Sequence, residues 1–85
     1  MIFEMLKKKE VVSSIEYEGL TYRNMYDDLK DELELTEEEA VYRIYRDNKD
    51  VGDIVFWNNG TVTCMNHDTF EEHHVKSIKE VSNIL

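Results

Sequence analysis

One stretch constrains this chain more than any other: Ile54-Val55-Phe56-Trp57, then Asn58-Asn59-Gly60, then Thr61-Val62-Thr63-Cys64-Met65. Two runs rich in β-branched and aromatic residues around an Asn-Gly pair predict a β-hairpin, because Asn and Gly accept the backbone that a tight turn between twisted strands demands. Centring the turn on Asn59-Gly60 pairs Trp57 with Val62 and Val55 with Cys64 on one face. Phe56 then pairs with Thr63, and Ile54 with Met65, on the other. Both faces are largely apolar, so both need covering. A chain of 85 residues has room for one core, and the cover must come from the flanking segments.

With no proline and three glycines the chain has few obligatory breaks, which favours helices joined by short connections. Apolar Ile2, Phe3, Met5, Leu6, Val11 and Val12 read as a short helix over residues 2 to 12. Ile15 and Tyr17 alternate with Glu16 and Glu18 ahead of Gly19, the period-two pattern of a small strand. Thr21 is a suitable N-cap, and Tyr22, Met25, Tyr26, Leu29 and Leu33 then recur at three- and four-residue spacing, which predicts a helix from about 22 to 34.

Thr36 to Glu39 has the form of a capping box, and a helix from 37 to 47 follows from it. Ala40, Val41, Ile44 and Tyr45 make its buried stripe, while Glu39, Tyr42, Arg43 and Arg46 face outward. A strand through Ala40 to Arg46 is the competing reading. After the hairpin, Asp68 to Glu71 forms a second capping box. Phe70, Val75, Ile78, Val81, Ile84 and Leu85 then make the apolar stripe of a C-terminal helix laid on the sheet. Neither a repeat nor a linker interrupts the chain, so residues 1–85 read as one domain.

Nineteen acidic residues against ten basic ones give a formal charge of −9, which repels nucleic acid and anionic lipid at long range and favours basic partners. The charge is concentrated. On the predicted helix 22–34, Asp27, Asp28, Asp31 and Glu34 fall opposite the apolar stripe, and Glu38 continues the acidic run into the next helix. Carboxylates one helical turn apart, roughly 5 to 6 Å, approach the repeat of phosphates along a strand. Three readings of this row stand: a solvated face that keeps the domain soluble, a docking surface for a basic protein, or a mimic of nucleic acid.

The segment LTYRNMYDDLKDELELTEEEAVYRIYRDNKDVGDIVFWNNGTVTC resembles the winged-helix variant of the helix-turn-helix in its helix-turn-helix spacing and its Gly-Asp-Ile approach to the wing. The resemblance implies an α+β domain ordered helix-strand-helix-helix-β-hairpin-helix, with residues 37 to 47 as the recognition helix. In that role Tyr42, Arg43 and Arg46 would meet a major groove and Arg23 a phosphate, and such a regulator would act as a dimer. Eight acids between Asp27 and Glu39, with Lys30 alone among them, and a wing tip without Lys or Arg depart from the family's basic surface. Winged helices also bind proteins. The expected function is therefore a non-catalytic acidic domain that binds a basic protein surface, such as a viral or mobile-element inhibitor that mimics nucleic acid. A DNA-binding regulator is the alternative.

Other chemistries find little support. Cys64, His67, His73 and His74 suggest zinc by residue type, but there is no Cys-x-x-Cys pair, and adjacent His73 and His74 diverge by about 100° on a helix. His74 falls on the apolar stripe as a core residue, and His67 is expected to pair with Glu71 or Glu72. Cys64 reads as a small buried hydrophobe rather than a nucleophile, and no phosphate-binding loop or nucleophile turn is present, so neither catalysis nor a cofactor is expected. A lone cysteine indicates a reducing compartment, and apolar residues before Lys7-Lys8-Lys9 reverse the order of a signal peptide, so the expected location is the cytoplasm.

Overall fold

Three tight turns set the architecture. Glu18-Gly19 (φ 51° and 81°) and Asp47-Asn48 (φ 52° and 66°) place two consecutive residues in the left-handed region, as a two-residue type I′ hairpin requires. Gly60 (φ 89°) closes a three-residue loop, Asn58-Asn59-Gly60, in which the Trp57 amide donates to the Thr61 carbonyl at 2.9 Å. In the computed structural model, which describes residues 1–85, these turns and two longer connections, 25–39 and 67–71, join β1 (Ser14–Tyr17), β2 (Leu20–Asn24), β3 (Ala40–Arg46), β4 (Lys49–Phe56), β5 (Val62–Asn66) and β6 (Glu72–His74). All pairs are antiparallel and the strands lie in sequence order, forming a six-stranded meander.

This overturns the winged-helix expectation. The helices are short: α1 (Ile2–Lys7), α2 (Tyr26–Leu29) and α3 (Ile78–Ile84). Where a helix from 37 to 47 was expected, Ala40–Arg46 is a central strand. Its first half is buried on both sides, so Ala40, Val41, Tyr42 and Ile44 form a nearly continuous apolar run that periodicity cannot assign. β-Branched and aromatic side chains then suit the pleated surface better than a helix. The helix from 22 to 34 is replaced by β2, one turn of α2, and turns. Asn24 makes the break: its amide donates to the Val11 carbonyl (2.8 Å) while its Oδ1 accepts from the Tyr26 amide (2.9 Å).

The Thr36–Glu39 interaction forms without a helix behind it. Glu39 Oε1 accepts from the Thr36 amide at 2.8 Å and Oε2 from the Asn58 amide at 3.0 Å, so the carboxylate ties this turn to the Asn-Asn-Gly loop. At the C-terminus, the helix expected from Asp68 is preceded by β6 and starts only at Ile78. Ser77 caps it, and Glu80 Oε2 accepts from the Lys76 amide at 2.8 Å. The 54–65 hairpin is present, but one residue out of the expected register: Phe56 pairs with Val62, Val55 with Thr63 and Ile54 with Cys64. The third loop residue shifts the pairing, and a one-residue shift moves Cys64 to the opposite face from Val55.

Side-chain alternation gives the sheet two unlike faces. On one, Tyr22, Tyr42, Ile44, Ile54, Phe56 and Cys64 pack under α1 and α3 through Leu6 and Val81. Tyr42 lies under α1 and donates its hydroxyl to the Leu6 carbonyl at 2.6 Å. Gly52 is opposite Ile44 on this face; a Cβ there would strike the Met65 carbonyl and lie 2.9 Å from a Leu85 methyl, so glycine is what lets the C-terminal residue sit close. On the other face only one end is covered. Met25, Val41 and Val55 are capped by Leu29, Leu33, Leu35 and Trp57 from the 25–39 excursion and the hairpin.

Candidate functional site

The covered end of the second face presents the acidic segment. With its apolar residues turned onto Val41 and Val55, the 25–39 excursion leaves Asp27, Asp28, Asp31, Glu32, Glu34, Glu37 and Glu38 exposed. Asp27 and Asp28 lie on α2, Asp31 and Glu34 in the turns after it, and Glu38 in the turn before β3. The regular helical row of Asp27, Asp31 and Glu34 is therefore absent, and with it the phosphate-like repeat, since only Tyr26–Leu29 is helical. Density of charge remains. None of these carboxylates enters an ion pair with a side chain of the protein. The excursion is pinned at its base: Lys9 Nζ donates to the Glu37 carbonyl (2.7 Å) and lies 3.7 Å from the centre of the Tyr26 ring, while the Tyr26 hydroxyl donates to the Thr36 carbonyl (2.9 Å).

The open end of the same face is polar and carries residues that the sequence reading had placed elsewhere. Arg23 on β2 stands directly opposite Arg43 on β3, and Arg43 opposite Asp53 on β4. In a regular strand Asp50 and Asp53, three apart, would point to opposite faces. A bulge prevents this: Ile44 pairs with Gly52 and Tyr45 with Asp50, leaving Val51 as the extra residue, which turns its side chain into the core. Asp50 is thereby brought to the same face as Asp53, and the two hold His67 between them. Nδ1 lies 2.6 Å from Asp50 Oδ1 and Nε2 lies 3.1 Å from Asp53 Oδ2.

With a carboxylate on each ring nitrogen, His67 is favoured as the imidazolium, which alone can donate through both. Partial burial disfavours that charge, but the hydrogen bonds and charges of Asp53 and Asp50 outweigh it and raise the pKa above the ordinary histidine value. Arg43 Nε lies 3.7 Å from Asp50 Oδ2, beyond hydrogen-bonding distance. His67 thus pairs with Asp50 and Asp53, not with Glu71 or Glu72.

The four arginine and tyrosine positions expected to read DNA are not gathered on one surface. Tyr42 is fully buried and its hydroxyl is used by Leu6. Arg46, at the far end of β3, donates to the carbonyl of Leu85 at 2.7 Å. Arg23 and Arg43 alone are neighbours. His74 is exposed on β6 rather than buried in a helix, and it faces away from His73, which pairs with Cys64. No group of three histidine, cysteine, aspartate or glutamate side chains is arranged to hold a metal ion. Cys64 is inaccessible, and burial, with a smaller contribution from the Asp53 charge, pushes its thiol up to about 12, so it stays protonated and unreactive at neutral pH. No helix is long and apolar enough to cross a membrane. No known protein family, curated protein or solved structure matches the chain.

Proposed function

We propose that this protein is a non-catalytic interaction domain whose acidic 27–39 segment docks on a basic protein surface in the cytoplasm. One observation carries the reading. Seven carboxylates within thirteen residues are held outward by a segment whose apolar side is clamped to the sheet, and none is neutralised internally. Burying a side chain such as Leu33 or Val41 contributes on the order of 1.5–3 kcal/mol when complete, so the clamp fixes the charges in place before a partner arrives. That preorganisation lowers the ordering cost of binding, and the concentrated field raises the association rate with cationic surfaces.

Partners with deep basic grooves, such as proteins that bind nucleic acid, fit this charge density, and an occupied groove would be an inhibited one. The fit rests on density of charge and not on any helical spacing. Replacing Asp27, Asp31 and Glu34 together by Asn and Gln tests the proposal, because all three are exposed and their loss leaves the core intact. The expected result is a salt-sensitive complex with a basic protein, weakened at least about tenfold in the triple variant. Equal affinity in the two proteins would contradict it.

A further inference from the structure

We propose that Arg23 and Arg43, side by side on the open face of the sheet, form a binding site for a small doubly charged oxyanion of the phosphate type. Two like charges directly opposite each other on adjacent strands are destabilising unless something lies between them. Here nothing in the protein does. Arg23 makes no ion pair, and Arg43 has only the 3.7 Å approach to Asp50. Its Nε is shielded from water and has no hydrogen-bond partner. Arg23 opens onto a hollow of about 240 Å³ whose other lining residues, Ser14, Thr21, Tyr45 and Asn48, carry hydroxyl and amide donors, with Arg43 on the strand next to it. Guanidinium forks bind tetrahedral oxyanions bidentately, and two forks with flanking donors match a dianion.

The bulge and His67 explain why neither arginine is hydrogen-bonded to a carboxylate, Asp50 keeping only a loose 3.7 Å ion pair with Arg43. Asp53 is opposite Arg43 in register and Asp50 lies diagonally beside it, yet both are turned to the imidazole. The charged and titratable groups on this face are Glu16 from β1, opposite Thr21, Arg23 from β2, Arg43 from β3, Asp50 and Asp53 from β4, and Glu72 and His74 from β6, of which Glu72 lies beyond Met65 in the cross-strand row of Arg43 and Asp53. When His67 loses its proton it can donate to only one carboxylate, and the other is released to Arg43. The site therefore binds its anion more tightly on the acid side of the His67 titration. The ligand is small for an electrostatic reason. A long polyanion would run against Asp27 and Asp28, which follow closely on β2, whereas a single anion feels charges beyond about 8 Å only weakly at physiological salt.

The test is an NMR titration of the isotopically labelled full chain with sodium sulfate, at constant ionic strength of about 0.15 M and at about pH 5.5 and pH 8, on either side of the usual histidine range. Sulfate keeps its double charge across that interval. Saturable shifts confined to the amides around Ser14, Thr21–Arg23, Arg43–Tyr45 and Asn48 are expected, with tighter binding at the lower pH. Arg23→Ala, at an exposed position outside the core, should weaken binding at least about tenfold. His67→Gln should remove the pH dependence. A parallel titration with phenyl phosphate distinguishes sources: tighter binding than sulfate identifies a phosphomonoester that uses Tyr45, and equal binding identifies the free ion. Absence of saturable shifts at these residues, shifts unchanged by Arg23→Ala, or equal affinity at both pH values in the wild type would overturn the proposal.

Discussion

Two buried tyrosines show how much a single hydroxyl decides. Tyr42 donates to the Leu6 carbonyl at 2.6 Å, whereas the Tyr22 hydroxyl is buried with no partner. Removing the first leaves the Leu6 carbonyl with only the Lys9 amide, at 3.2 Å, so Tyr42→Phe loses one net hydrogen bond and should destabilise the fold by about 1 kcal/mol. Tyr22→Phe removes an unpaired polar atom and should be neutral or stabilising. Urea denaturation of both variants measures the contrast, and equal losses would show that the Tyr42 bond is worth nothing. Titration gives a second contrast. The amides of Asn58 and Thr36 hold Glu39 below the ordinary carboxylate range, so its contribution is present above that range and lost as the pH falls through the folded value. His67 is shifted upward, so its contribution is complete below the ordinary histidine value and lost as the pH rises through the folded one. Denaturation at a series of pH values should therefore show the deficit of Glu39→Gln shrinking in acid and that of His67→Gln shrinking in base. A deficit independent of pH in either variant contradicts its assignment.

At the scale of elements, turn chemistry rather than periodicity governs this chain. Asn48 sits at φ 66° in the β3–β4 turn, so Asn48→Gly should be neutral or slightly stabilising. Asn48→Val should cost about 1–2 kcal/mol, because a β-branched residue is strained there. Gly52→Ala should be worse than either, since the new methyl meets the Met65 backbone and Leu85. Thermal melts of the three variants rank them, and a Gly52→Ala protein as stable as wild type would mean that α3 packs less closely than described. The same logic explains what the sequence revealed. The 54–65 hairpin was legible because Asn-Asn-Gly supplies the turn, though whether its loop held two residues or three was not. Asp47-Asn48 carried the same kind of signal for the β3–β4 hairpin, but the amphipathic spacing of Ala40, Val41, Ile44 and Tyr45 masked it, because a strand buried on both faces satisfies helical spacing by accident. Ser77-Ile-Lys-Glu80 has the same capping pattern as Asp68 to Glu71, and it is the one that starts a helix. The convergence of Asp50, Asp53 and His67 was not legible at all, since it depends on a bulge that no residue pattern announces.

Over the whole molecule, charge is distributed unevenly on a face that the sheet divides in two. The acidic excursion occupies one end, and the arginine pair with its carboxylate-bound histidine the other. Concentration of acids into 27–39 was visible in the sequence before any fold was assigned; that the segment is an excursion capping a sheet, and not a helix face, came only with the strand pairing. A net charge of −9 would attract cationic surfaces wherever its carboxylates stood, so local docking has to be separated from bulk charge. Two variants with equal charge loss make that separation. One neutralises Asp27, Asp28, Asp31, Glu34 and Glu38; the other neutralises Glu4, Glu10, Glu16, Glu71 and Glu72, which are equally exposed but scattered. Their affinities for the basic protein captured by the wild type, measured at physiological salt, are the decisive comparison. Docking through the excursion predicts that the first variant loses binding by at least about tenfold while the second stays within about twofold of wild type; equal losses in both would contradict it.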